Sequence, residues 1–267
     1  MVTPKVEREN NTREFGTFII GPMERGFGLT LGNAIRRVLL SSLEGAAITD
    51  VRITDVMHEF STIPGVREDV IQIMLQIKQI RMKLHGVDTA QIHLEVKGEG
   101  TYTAADIVCP PEVEIINPEL YLFSITEAGA EVEMDMTVER GRGYIPAGDR
   151  AERLPLGVLP VDAIFSPVRR VNWSVSNARV GQDTNFDRLN LDIWTDGTIT
   201  PEKALEEAVD LLIQHLSIIR GVEDEPQVWS AVPAEPESRL SNEAAETPIE
   251  ALDLTVRVYN ALKRTGV

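Results

Sequence analysis

Hydrophobic residues recur at helical spacing in two long stretches, and alternating strand-like runs lie between them. The first stretch opens on Gly26-Phe27-Gly28 and continues through residue 42. At about 100° per residue, Leu31, Ile35, Val38, Leu39 and Ser42 fall on one side of a helix. Asn33, Arg37 and Leu40 fall opposite, with Arg36 at the edge. A leucine beside an arginine on the outward side predicts a second contact surface, because an ordinary amphipathic helix keeps only polar groups there. The second stretch covers residues 201–220 and carries a wide apolar arc of Leu205, Val209, Leu212, Leu216 and Ile219, extended by Ala208 and Ile213. Thr200 is placed as its N-cap, Pro201 as its first residue, and Gly221 as its stop. So broad an arc predicts more than one neighbour.

The remaining sequence reads mainly as strands. Residues 13–20 form one, with Phe15, Thr17 and Ile19 on a shared face. Gly45 is a candidate stop for the first helix. Residues 48–53 alternate as a half-buried strand. From about residue 54 the character changes: 58–63 is irregular and Pro64-Gly65 is a turn. Val66, Val70, Ile73, Met74, Ile77 and Ile80 predict a helix reaching about Met82. Ile92, Leu94 and Val96 alternate, as do Val132, Met134, Met136 and Val138. Residues 113–125 are extended around Asn117-Pro118, and 141–148 are loop-like. Val171, Trp173 and Val175 alternate, as do Leu189, Leu191 and Ile193, and the two runs suit an antiparallel pair before the Asp196-Gly197 turn. Residues 222–247 are rich in Glu, Pro, Ala and Ser with little periodicity, as in a flexible acidic linker. Residues 248–264 lead into a short helix that would be marginal alone. The predicted class is α+β.

Composition narrows the function. The chain has 267 residues, 43% hydrophobic and 25% charged, which is ample for real cores and ordinary for a globular protein. Its net charge of −16 argues against non-specific nucleic-acid binding by the whole chain, since a phosphate-tracking surface needs clustered Lys and Arg. Cys109 is the single cysteine, so no intrachain disulfide forms, which fits a reducing compartment. The amino terminus lacks the apolar centre of a signal peptide, and no run of about eighteen apolar residues predicts a membrane span.

Candidate chemistry is sparse. Gly26, Gly28 and Gly32 sit between a strand and a helix, which invites a nucleotide-binding reading. Their G-x-G-x-x-x-G spacing is one residue longer than the dinucleotide fingerprint, although Asp50 follows at a suitable distance. The plainer reading is tight turning and close helix packing. The histidines (His58, His85, His93 and His215) have no ligand spacing, so no metal site is expected. Cys109 precedes Pro110-Pro111 with no base nearby in sequence. Neither a P-loop nor a G-x-S-x-G elbow occurs, and no catalytic set emerges. Arg140-Gly-Arg-Gly-Tyr144 reads as a turn with exposed arginines. Arg37 beside Leu40 has the composition of a protein-binding hot spot.

Residues 24–42 (Glu-Arg-Gly-Phe-Gly-Leu-Thr-Leu-Gly-Asn-Ala-Ile-Arg-Arg-Val-Leu-Leu-Ser-Ser) resemble the bacterial RNA polymerase alpha subunit in its amino-terminal assembly domain. So do His58-Glu-Phe-Ser-Thr62, Val66-Arg-Glu-Asp-Val70, Arg140-Gly-Arg-Gly-Tyr144, Val161-Asp-Ala163 and Asn177-Ala-Arg-Val180. The resemblance implies a discontinuous dimerisation subdomain of antiparallel strands and two main helices (residues 1–53 with 168–222). It implies a smaller α+β subdomain inserted at 54–167, a linker at 223–247, and only the start of a carboxy-terminal DNA-binding domain at 248–267. It also implies a cytoplasmic homodimer that nucleates assembly of the beta and beta-prime subunits, without catalytic residues or cofactors of its own and without membrane contact. Promoter DNA and activators would be reached through the missing part of the carboxy-terminal domain. By the same resemblance Arg37 and Leu40 face beta, while Lys78, Val161 and Arg188 face beta-prime; relatives carry a lysine in place of Arg188. The dimer contact would use Phe27, Leu31, Ile35, Val38, Leu205, Val209, Leu212, Leu216 and Ile219. Two other readings stand beside it: a nucleotide-binding enzyme using the 26–32 loop, and a stand-alone dimeric adaptor.

Overall fold

Strand alternation and two helical stripes resolve into two lobes, each with its own apolar core. The computed structural model describes residues 5–148, 154–180 and 183–220. The expected linker, the terminal segment at 248–267 and the Gly221 stop lie outside the described residues. The first lobe is a four-stranded antiparallel sheet of β1 (Lys5–Asn11), β2 (Phe15–Glu24), β13 (Val168–Val180) and β14 (Asp183–Thr195), in the order β1-β2-β14-β13. The long β13–β14 pairing matches the expected antiparallel hairpin, with Val171 opposite Ile193 and Val175 opposite Leu189. Two helices, α1 (Phe27–Ser41) and α3 (Pro201–Arg220), cover one face of this sheet.

The second lobe lies between them in sequence. Its main sheet runs β5 (Thr89–Lys97), β9 (Glu131–Arg142), β3 (Glu44–Ile53), β4 (Met82–Leu84) and β7 (Val113–Ile115), with β11 (Val158–Pro160) also on β3. Short pairs join β6 (Gly100–Thr103) to β8 (Tyr121–Ile125) and β10 (Tyr144–Ile145) to β12 (Ala163–Ile164). The α2 helix (Val70–Ile77) packs on this lobe. It is shorter than the apolar period predicts. Asp69 caps it by accepting from the Gln72 N–H at 2.9 Å, so Val66 stays outside, and Ile80 is buried beyond its end.

The cores are separate clusters. The first lobe gathers Phe18, Ile35, Leu39, Leu43, Val171, Leu191, Ile193, Ala204 and Ala208. The second runs from Ile48 to Val161 in sequence and includes Ile73, Leu94, Phe123 and Met136. Thus β3 belongs to the second sheet, and the change of lobe comes near residue 44, about ten residues ahead of the expected position. Gly45 does not stop a helix. The α1 helix ends at Ser41, and Gly45 lies in β3, where a Cβ would come within 1.8 Å of the Phe165 carbonyl. That close approach lets the returning backbone pass from one lobe to the other. In β2 the buried face carries Gly16 and Phe18, while Phe15, Thr17 and Ile19 lie on the half-buried side. Both lobes belong to one compact unit, Met1–Ile219. No helix among the described residues is long and apolar enough to cross a membrane.

Candidate protein-interaction surfaces

The organising helix α1 begins without a cap of its own. Gly26 holds the N-cap position at φ 95°, a left-handed conformation that glycine adopts without strain, and it has no side chain to bond the free N–H groups. Asp187, from the distant strand β14, does this instead. Its Oδ2 accepts from the Gly26 N–H at 2.8 Å and the Gly28 N–H at 3.2 Å. The buried carboxylate also meets the positive end of the helix dipole. It occupies the place where a nucleotide phosphate would bind. Gly32 serves packing: a Cβ there would lie 2.7 Å from the Trp173 ring and 2.9 Å from Leu189. Asp50 accepts from the Thr137 hydroxyl at 2.8 Å, within its own sheet.

Seated this way, α1 turns Gly28, Gly32, Ile35 and Leu39 onto its own sheet. Ile35 is 5% exposed and belongs to the core of its own protomer, so its placement in the dimer contact is corrected. Val38, on the flank, is half-buried against the same core. Phe27, Leu29 and Leu31 remain exposed at 53%, 62% and 37%. On the outward side Arg36 and Arg37 are exposed. Leu40 is half-buried against the first-lobe core, and its carbonyl accepts from the Ser166 hydroxyl at 3.2 Å.

The α3 helix divides its arc. Thr200 caps it as expected, its Oγ1 accepting from the Lys203 N–H at 3.4 Å. Pro201, Ala204 and Ala208 are buried against the first lobe, and small side chains allow close contact. Leu205, Val209 and Leu212 are half-buried beside them. Beyond Leu212 the helix leaves its protomer, and Ile213, Leu216, Ile218 and Ile219 are 59–68% exposed. Leucine and isoleucine in that number on one helix end form an uncovered apolar surface.

The three residues assigned to beta-prime do not form one patch. Lys78, just past α2, donates to Asp162 Oδ2 at 2.8 Å, and its ammonium lies 5.8 Å from the centre of the Tyr144 ring. Hydrogen bonding from Lys78, then from the Ala147 N–H, holds the Asp162 carboxyl below its ordinary pKa. Ile71, Met74 and Leu75 of α2 line a groove beside this pair. Val161 is 2% exposed, with its N–H bonded to the Thr49 carbonyl at 2.9 Å. Its side chain belongs to the second-lobe core, which corrects its assignment as a partner contact. Arg188 is exposed in the first lobe, opposite Ser176 of β13. Because it follows Asp187, it points to the sheet face away from α1.

Sequence reasoning missed Asp187. Its only signal was an acidic residue alternating with Leu189 and Leu191, which nothing local ties to a helix start. No cluster of His, Cys, Asp or Glu able to hold a metal occurs among the described residues.

Residues 51–166 match the model of the RNA polymerase Rpb3/RpoA insert domain, and residues 235–267 match that of the carboxy-terminal domain of the bacterial RNA polymerase alpha subunit. The DNA-directed RNA polymerase subunit alpha of Carboxydothermus hydrogenoformans is 49% identical over 99% of this chain and 84% of its own length. Those of Desulforudis audaxviator and Moorella thermoacetica are 47% and 45% identical, each over 99% of this chain and 84% of theirs. With identity of this order along nearly its whole length, the chain belongs to the family of bacterial DNA-directed RNA polymerase alpha subunits.

Proposed function

We propose that this chain is a homodimeric scaffold on which the beta and beta-prime subunits of a cytoplasmic RNA polymerase assemble, with nucleotide joining left to those larger subunits. The observation that carries the reading is the uncovered apolar end of α3, from Ile213 to Ile219, together with Phe27, Leu29 and Leu31 of α1. Each such side chain, once covered, contributes about 1.5–3 kcal/mol, which favours a second copy over exposure. Dimerisation leaves Arg37 and Leu40 for beta on the α1 side. It leaves Lys78 and Arg188 for beta-prime on the second lobe and on the opposite sheet face. Separate surfaces let identical chains engage different partners. Promoter DNA belongs to the segment that matches the carboxy-terminal domain.

The nucleotide-enzyme reading loses its best feature, since Asp187 fills the helix start. Affinity purification of the tagged protein from its own cells tests the proposal. Two very large subunits in fixed proportion, with two copies of this chain, are expected. Recovery of the tagged protein alone, or with unrelated partners as for a stand-alone adaptor, would overturn it.

A further inference from the structure

Arg81 lies on the seam between the lobes, in the turn joining α2 to β4. Its backbone is fixed to the second lobe: its N–H donates to Asn117 Oδ1 at 2.8 Å, and its carbonyl accepts from the Ile116 N–H at 2.8 Å. Its side chain reaches the first lobe. One nitrogen, Nη1, donates to Glu14 Oε1 at 3.0 Å and to the Asp196 carbonyl at 2.7 Å. Both receiving turns are themselves tied down. Thr195 donates its N–H to the Glu14 carbonyl at 2.8 Å, and Asp196 donates its N–H to the Pro167 carbonyl at 3.0 Å. Three segments far apart in sequence therefore meet on one guanidinium.

The seam around it is open. A cleft of about 520 Å³ lies between Met82 and Lys83 of the second lobe and Gly197 and Lys203 of the first. Another of about 740 Å³ lies between Ile80 and Arg81 on one side and Arg169 and Asp196 on the other. Close packing is interrupted at these two places, and Arg81 bridges them with directional bonds. The buried Nε of Arg81 has no hydrogen-bond partner, so the guanidinium is placed for its Nη1 contacts and leaves another donor unused.

We propose that Arg81 is a positioning residue for assembly, holding the two lobes at the angle a large partner needs to touch both at once. This rests on the reading above, in which Lys78 of the second lobe and Arg188 of the first meet the same subunit. A partner bound at two points gains effective concentration only while their spacing is fixed. Beta capture needs the first lobe alone, through Arg37 and Leu40, and does not depend on that angle.

The test uses the full-length dimer with Cys109→Ser and spin labels at Glu95→Cys and Asn172→Cys, one on each lobe, in a minority of labelled protomers. Arg81→Ala is expected to broaden the interlobe distance distribution. It should weaken beta-prime capture about tenfold, because the two contact points lose their fixed spacing, and leave beta capture unchanged. Glu14→Ala should act the same way, and the double variant should lose little more than either single one. Arg81→Lys, which keeps the charge without the planar fork, should recover part of the affinity. An unchanged distance distribution, or equal loss of beta and beta-prime capture, would overturn the proposal. Broadening in a protein whose wild type captures no beta-prime would refute the partner reading and leave the lobe lock standing.

Discussion

Replacing Asp187 with alanine removes the side chain that caps α1 at Gly26 and Gly28. Three contributions are lost. A helix cap is typically worth about 1 kcal/mol. A carboxylate at a helix amino terminus adds about 0.3–1 kcal/mol, more when it is partly buried. Leaving the Gly28 N–H buried without an acceptor costs about 1–3 kcal/mol. These overlap, so the expected destabilisation is about 2–4 kcal/mol, or about 5–15 °C in melting temperature for a domain this size. Asp187→Asn keeps an acceptor and loses the charge, and should cost about 1 kcal/mol. Thermal unfolding of both variants by circular dichroism measures this, and NAD, NADP or ATP added to the wild type should leave the melting temperature unmoved. An Asp187→Ala protein that melts within a degree of wild type, or a wild type raised by a nucleotide, would refute the account of this helix start.

Gly32→Ala should destabilise by about 1–3 kcal/mol, measured in urea, because its Cβ meets the Trp173 ring and Leu189 in a packed contact. Asp162 has a pKa lowered by its partner Lys78, so the pair's contribution to stability is complete at neutral pH. It is lost as the pH falls below the ordinary carboxylate value and through the lowered one. Asp162→Asn should therefore flatten part of the acid limb of a stability profile. Arg37→Ala should keep the dimer by sedimentation and weaken beta capture in a pull-down. A variant that loses the dimer would show that the outward face of α1 had been assigned wrongly.

Much of the fold was legible because its signals are local. Thr200, Pro201 and the apolar arc of α3 mark a helix wherever they occur, and the expected β13–β14 pairing is present, although Val175 ends up exposed. What the residues could not reveal was which neighbour covers a face. The apolar spacing of Ile35 is equally good for a partner helix or its own sheet, and the sheet takes it. Val161 likewise sits beside the polar Asp162, yet its own side chain turns inward. The β1 strand was missed because Lys5–Asn11 is exposed along its whole length and has no apolar period; pairing with β2 alone defines it. Leu40 lies between the two cases, half-buried by its own lobe with Arg36 and Arg37 exposed beside it. Asp187 illustrates the hardest kind of feature, a cap delivered from a residue about 160 positions away.

The central claim is that the free end of α3 is covered by a second copy. Sedimentation equilibrium of the wild type at micromolar concentration tests it most directly, beside Leu216→Asp, which places a charge on the exposed apolar end. The account predicts a wild-type mass twice 29.6 kDa and a folded monomer for the variant. A folded wild-type monomer of 29.6 kDa would contradict it.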